Sequence, residues 1–445
     1  MEFRRILIAN RGEIAIRVIR ACKEMGIKTI AVYSDADKDS LHVKYADDAV
    51  NIGPALSYKS YLNMEAIIDA AKKSKADAIH PGYGFLSENA VFAQSCFDNG
   101  MTFIGPSAHC IAKAGNKSSA RQTLIELGIP VIPGSDDIIS SSDMACEVAG
   151  KVGFPVILKA SGGGGGRGMR IANNKEELIE AFSIASGEAA AAFGNPDIYL
   201  EKYIEKPRHI EIQILGDMYG NYIHLAEREC SIQVRYQKLI EEAPSFFVDE
   251  KFRATLGETA IKIAKSIGYT NAGTMEFLVD KDKNFYFMEV NARVQVEHPV
   301  TELITGIDIV RQQILIATGQ KLGIRQEDII PKGWSMECRI NACDPEDNFM
   351  PSPGKIESVI FPGGPGVRID THIHDNYIVG PFYDSLIGKL IVWDKDRPSA
   401  IIRMKRALDE FEINGIQTTI PFFQKVFKNK AFQKGDIDTH FLKHI

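Results

Sequence analysis

The stretch Phe285-Tyr-Phe-Met-Glu-Val-Asn-Ala-Arg-Val-Gln-Val-Glu-His298 constrains this chain more than any other. From Glu289 every odd position is polar (Glu289, Asn291, Arg293, Gln295, Glu297), and every even one is apolar (Val290, Ala292, Val294, Val296). In an extended chain alternate side chains point to opposite faces, so the five polar groups form one row. A half-exposed strand alternates too, but its solvent face usually carries Lys, Thr and Ser. This row instead holds two carboxylates, two amides and a guanidinium, groups suited to a metal, an anion and a proton.

The same stretch predicts a hairpin. Residues 273–279 and 285–290 read as strands joined by a turn at 280–284, which sets Glu276 opposite or nearly opposite Glu289. Like charges facing each other across a ladder are destabilising. The pair makes sense if divalent cations lie between the carboxylates and a nucleotide's phosphates, with Asn291 offering a third oxygen.

Upstream, Ser161-Gly-Gly-Gly-Gly-Gly-Arg-Gly168 follows a strand ending in Lys159. Successive glycines expose backbone N–H groups to phosphate oxygens, and no Gly-Lys-Ser/Thr follows, so this is no Walker A loop. A covering lid over phosphates is the expected role. Lys117 precedes a helix at 118–127, and Lys238 closes Gln233-Val-Arg-Tyr-Gln-Lys238. Glu201-Lys-Tyr-Ile204 closes a strand and can offer backbone contacts to an adenine, while His209 and Glu211 alternate on the next strand. The ten histidines show no metal spacing apart from a weak hint at His372-x-His374, which reads as an exposed strand.

At 445 residues the chain needs two or three cores. Strands at 5–9, 28–33, 78–80 and 102–104 alternate with helices at 13–24, 63–73 and 89–99, which predicts a parallel sheet flanked by helices. The absence of GxGxxG argues against a dinucleotide there. A net charge of -6 argues against nucleic acid or an anionic membrane as the main partner. No apolar run is long enough to cross a bilayer, and the N-terminus lacks signal-peptide features. Seven cysteines without a CxxC pair read as reduced thiols of a cytoplasmic protein.

The strings Ile8-Ala-Asn-Arg-Gly-Glu-Ile-Ala15, His80-Pro-Gly-Tyr-Gly-Phe-Leu-Ser-Glu-Asn89, Lys159 to Arg170, Pro207-Arg-His-Ile-Glu211, Val296-Glu-His-Pro-Val-Thr-Glu302 and Met336-Glu-Cys-Arg-Ile-Asn341 resemble biotin carboxylase, an ATP-grasp ligase, over essentially the whole chain. The resemblance implies a mixed α/β and α+β architecture with an ATP-grasp fold. Its parts would be a Rossmann-like domain at 1–114, an ATP-grasp domain at 115–334 with a mobile lid at about 131–203, and a β-rich domain at 335–445. It implies that ATP and bicarbonate carboxylate biotin held on a separate carrier, through carboxyphosphate, as in acetyl-CoA carboxylase of fatty acid biosynthesis. A pyruvate or other acyl-CoA carboxylase is the alternative.

Carried over by motif, Lys117, Lys159, Gly165, Gly166, Glu201, Lys202, Tyr203, Ile204, His209, Glu211, Gln233 and Tyr236 would serve the nucleotide. Glu276, Glu289 and Asn291 would hold two Mg²⁺ or Mn²⁺ ions. Arg293, Gln295, Val296 and Lys238 would bind bicarbonate, Glu297 would be the general base, and Arg339 would face the biotin ureido group. The resemblance further implies a biotin carboxyl carrier protein and carboxyltransferase subunits as partners, and a homodimer with Arg17 and Glu24 near its contact. Three positions depart from the pattern: Tyr236 stands where a histidine is usual, Val234 where an arginine is, and Pro365, at the dimer contact, where an aromatic is common. A tyrosine can hydrogen-bond a ribose or phosphate but carries no positive charge near neutral pH.

Overall fold

A computed structural model describes residues 2–115, 124–135, 137–160, 169–193 and 197–444. The first strands, β1 (Arg5–Ile8), β2 (Lys28–Tyr33), β3 (Asp48–Asn51), β4 (Ala78–His80) and β5 (Thr102–Phe103), form a parallel sheet in the order β3-β2-β1-β4-β5. Ile6, Leu7 and Ile8 are wholly buried, as a sheet covered on both faces requires. Helix α1 (Gly12–Glu24) leaves the end of β1, and Asn63 and Asn89 cap the next two long helices, close to the predicted bounds. The expected parallel scaffold is present. Strand β3 was not expected, because Asp48-Ala-Val-Asn51 is a short, partly exposed edge with no clean alternation.

A small antiparallel sheet of β6 (Val156–Ala160), β7 (Met169–Ala172) and β8 (Ile198–Lys202) has β6 at its centre and its own apolar core. Three short two-stranded ladders lie in the last third of the chain, and eight further strands build one antiparallel sheet. They are β9 (Arg208–Gly216), β10 (Tyr222–Val234), β11 (Gln237–Ala243), β12 (Asn271–Val279), β13 (Phe285–Asn291), β14 (Trp334–Asn341), β15 (Val367–Thr371) and β16 (Leu386–Asp394). Their order is β13-β12-β9-β10-β11-β14-β16-β15, so the sheet runs unbroken from the central part of the chain into its last third.

Strand β9 shows how the sequence places the site. Ile210, Ile212 and Ile214 pack on Phe252, Leu256 and Ala260 of helix α2 (Glu250–Ser266). Their neighbours His209, Glu211 and Gln213 point to the other face, yet they too are buried. Polar groups in that position need partners, and the sheet supplies them.

The predicted stripe is not one extended segment. Strand β13 ends at Asn291, paired with Thr274, and residues 292–297 run as a loop into helix α3 (His298–Thr305). Pro299, in the first turn of α3, favours a helix start and ends any strand pattern. Ala292 and Val294 are buried as expected, whereas Val290 and Val296 are only half-buried. His372 corrects another expectation: it is buried rather than on an exposed strand. Arg17 is also internal, paired with Glu302 and Asp308, so it is no free surface group, whereas Glu24 is exposed. All seven cysteines are free, six of them buried.

Candidate active site

A cleft of about 1560 Å³ opens over the polar face of the large sheet, and its opposite wall includes Glu13 and Tyr83 from the parallel-sheet region. Strand register builds its floor. Arg228 on β10 faces Glu211 on β9, Glu211 faces Glu276 on β12, and Glu276 faces Glu289 on β13. The expected opposition of Glu276 and Glu289 is therefore present, and both line the cleft beside Asn291. These oxygen donors suit a hard divalent cation.

Below them the charges are closely compensated. The fully buried Arg228 bonds Glu211, Gln213, Thr274 and Thr301. Lys238 donates to three carboxylates: Glu211 Oε2 at 2.5 Å, Glu276 Oε1 at 2.8 Å and Glu297 Oε1 at 2.7 Å. Burial disfavours its charge, but those three acids hold its pKa well above the ordinary lysine value. Burial likewise disfavours the charge of Glu297, yet Lys238, Arg339 and Arg228 keep its carboxyl well below the usual range. Arg339 spans two acids, with Nε 2.6 Å from Glu241 Oε1 and Nη2 2.9 Å from Glu297 Oε2.

His209 accepts from Gln233 Nε2 at its Nδ1 (2.7 Å), leaving Nε2–H to donate to Glu276 Oε2 at 2.8 Å. In the loop beyond β13, Arg293 reaches Gln295 Oε1 at 2.6 Å and Asn291 Oδ1 at 3.0 Å. The loop thus gathers the odd-numbered polar groups by hydrogen bonding rather than by strand pleat.

At the other end of the cleft Lys159 Nζ bonds Glu201 Oε2 at 2.5 Å, and both line it. Lys202 turns away to the carbonyls of Gly153 and Phe154, and Tyr203 bonds His440. Neither these two nor Ile204 lines the cleft. Glu211 lies beneath it, touching Lys238 and Arg228. Lys117, Gly165 and Gly166 lie outside the described residues.

Tyr236 lines the cleft and is exposed, on a two-residue turn between β10 and β11 where Arg235 and Tyr236 have φ of 51° and 66°. Such turns usually carry Asn-Gly, so Arg-Tyr gives no hairpin signal and β11 was not anticipated. Sequence reasoning also missed Glu88, which accepts from Arg293 Nε at 2.9 Å, together with Arg228, Glu241 and Lys389. One local clue existed: Lys389 stands alone in the otherwise apolar Leu386-Ile-Gly-Lys-Leu-Ile-Val-Trp393.

Residues 2–111 match the family described as biotin carboxylase, N-terminal domain, and residues 337–444 the biotin carboxylase C-terminal domain. Residues 116–325 match the carbamoyl-phosphate synthase L chain, ATP binding domain. Biotin carboxylase 1 of Bacillus subtilis is 54% identical over 99% of this chain and 98% of its own. This chain belongs to the biotin carboxylase family. A pyruvate carboxylase subunit from Methanothermobacter thermautotrophicus is 52% identical, over 99% of this chain and 89% of its own.

Among solved biotin carboxylases, a β-γ-ATP complex from Campylobacter jejuni superposes with a TM-score of 0.96 at 52% identity, covering 100% and 99% of the two chains. The biotin carboxylase domain dimer of Hydrogenobacter thermophilus 2-oxoglutarate carboxylase, with MgADP, ADP and bicarbonate, gives 0.94 at 50% identity over 100% and 98%. The expected ATP-grasp fold is thereby established.

Proposed function

We propose that this enzyme carboxylates the biotin of a separate biotin carboxyl carrier protein using ATP and bicarbonate, with acetyl-CoA as the final acceptor of the carboxyl group. The observation that carries the reading is Glu297, buried at the end of the 292–297 loop and bonded to both Lys238 and Arg339.

Lys159, Glu201, His209, Gln233 and Tyr236 line the nucleotide end, and Lys117, Gly165 and Gly166 join them by motif. The oxygen-only set of Glu276, Glu289 and Asn291 fits Mg²⁺ or Mn²⁺, and two such ions would supply charge neutralisation at the phosphates. The Arg293 guanidinium gives bicarbonate planar two-point binding, assisted by Gln295, Val296 and Lys238.

A bicarbonate oxygen attacks the γ-phosphorus, and the bond to the β–γ bridging oxygen breaks. ADP leaves with that electron pair, carboxyphosphate forms, and the bicarbonate proton passes to Glu297. At rest Glu297 is ionised but a weak base. Its basicity rises when Lys238 and Arg339 turn part of their hydrogen bonding toward the anionic substrate. The bond between the carboxyl carbon and the phosphate oxygen then breaks to give CO₂ and phosphate. The phosphate takes the biotin ureido N–H proton, the nitrogen's electron pair bonds the CO₂ carbon to give carboxybiotin, and Arg339 donates to the ureido oxygen while charge develops there.

Glu297→Gln should lower bicarbonate-dependent ATP cleavage at least about 100-fold while nucleotide Kd stays within about twofold. Unchanged turnover would sink the assignment. Stimulation of ATP cleavage by free biotin plus bicarbonate separates this reading from other ATP-grasp ligases.

Pyruvate as acceptor is the second reading, favoured by the 52% identity to the pyruvate carboxylase relative from Methanothermobacter thermautotrophicus. Capturing the carrier and identifying its carboxyltransferase decides between them. We further propose a cytoplasmic homodimer. Three functional parts divide near residues 115 and 335, supported by family matches over 2–111, 116–325 and 337–444. Among the described residues no helix is long and apolar enough to cross a membrane.

A further inference from the structure

The 292–297 loop has left the sheet, so no ladder holds its backbone, and side chains anchor it instead. Glu88 accepts from Ala292 N at 2.8 Å and from Arg293 Nε at 2.9 Å. His298 Nδ1 lies 2.7 Å from the Gln295 carbonyl oxygen. The third anchor comes from the last part of the chain: Lys389 Nζ donates to the Val296 carbonyl at 2.9 Å.

Lys389 is wholly buried on β16, opposite Arg339 on one neighbouring strand and Asp370 on the other. Its ammonium also lies 3.1 Å from Glu13 Oε1 on α1, and Glu13 accepts from the Tyr83 hydroxyl, which lines the far wall of the cleft. Burial opposes its charge, but Glu13, Glu337 and Asp370 outweigh burial and keep Lys389 protonated. A buried ammonium is costly, and packing alone would be served better by an apolar residue of that size. None of the steps above uses this one.

We propose that Lys389 is a positioning residue for bicarbonate: it fixes the Val296 carbonyl, and with it the Arg293–Glu297 loop, and ties that loop through Glu13 to Tyr83 across the cleft. The inference rests on the bicarbonate role of Arg293, Gln295 and Val296 given above.

The test is steady-state kinetics of the full-length protein with Lys389→Met, Glu13→Gln and the double variant, which no longer strands the Glu13 carboxyl. The bicarbonate KM should rise at least about tenfold in both Lys389 variants, with the ATP KM within about twofold, and about threefold in Glu13→Gln. A bicarbonate KM equal to wild type in folded Lys389 variants that lose only thermal stability would overturn the proposal. If neither Lys389 variant folds, Glu13→Gln decides: a raised bicarbonate KM supports the coupling, and an unchanged one refutes it. Failure of the parent reading would look different, because the unaltered protein would then cleave ATP without needing bicarbonate.

Discussion

Lys238 and Lys389 are both ringed by carboxylates and both kept charged by them, yet only Lys238 reaches the cleft. Around Lys238, Glu276 and Glu297 are held well below the ordinary carboxylate range, where the neighbouring lysine, histidine and arginine charges overcome burial, whereas burial raises Glu211. Around Lys389 the outcome is mixed as well, with the raised acids in the majority. Burial pushes Glu337 well above that range and raises Glu13, while Arg368 and Lys389 overcome burial and keep Asp370 low. Both oxygens of Glu337 are buried without a hydrogen-bond partner. A charged cluster that opens on substrate can trade partners during a reaction. A sealed one can only hold geometry, and it sheds charge where it lacks partners.

Acidification carries the largest expected effect. His42, His80, His298 and His372 are all buried, His298 within reach of the Lys389 charge, and burial lowers their pKa values to about 4, 3, 3 and 3. Each takes up its proton in the unfolded chain near pH 6.5 but not in the folded one. Their contribution to stability is therefore whole above that pH and is lost as pH falls, while the raised carboxyls of Glu13 and Glu337 contribute in the opposite sense. By pH 5.5 the loss is about 1.4 kcal/mol per histidine, or about 5.6 kcal/mol for the four together. NMR titration of the four imidazole rings between pH 7.5 and 5.5 checks it, and ring shifts that move with a midpoint near 6.5 would show that these rings become charged in the native state.

On the open side Lys238→Met should lower bicarbonate-dependent ATP cleavage by about 10²–10³-fold, while nucleotide affinity measured by fluorescence titration changes little. A variant retaining a tenth of the wild-type rate would move Lys238 into the positioning class with Lys389. The smallest effect belongs to Glu88→Gln, whose amide oxygen can still accept from Ala292. The bicarbonate KM should rise about threefold, against about tenfold for Lys389→Met. The reverse order would make Glu88 the main anchor of the loop.

The sequence disclosed much of this where the signals were local. A five-residue turn with strands on either side was enough to set Glu276 against Glu289, and the β9 alternation separated an apolar face from His209 and Glu211. The extended reading of residues 289–297 failed because alternation persists in a loop whose polar groups share one cleft, and Pro299 outweighed it. Contacts distant along the chain were invisible: Glu88 and Arg293 are 205 residues apart, and Lys389 and Val296 are 93 apart. Residue pattern within a segment cannot name such partners. Arg228 and Glu241 were lost for the same reason, each being one charge in a strand whose partners lie elsewhere.

The pairing of β11 with β14, with Ile240 beside Cys338, joins the last third of the chain to the rest by main-chain hydrogen bonds. A fragment ending before Trp334 would leave the β11 edge bare, with unpaired amides and carbonyls inviting association with other chains. Gene fusion can carry this protein from one assembly to another as a single piece, but recombination at that seam would yield two aggregating halves.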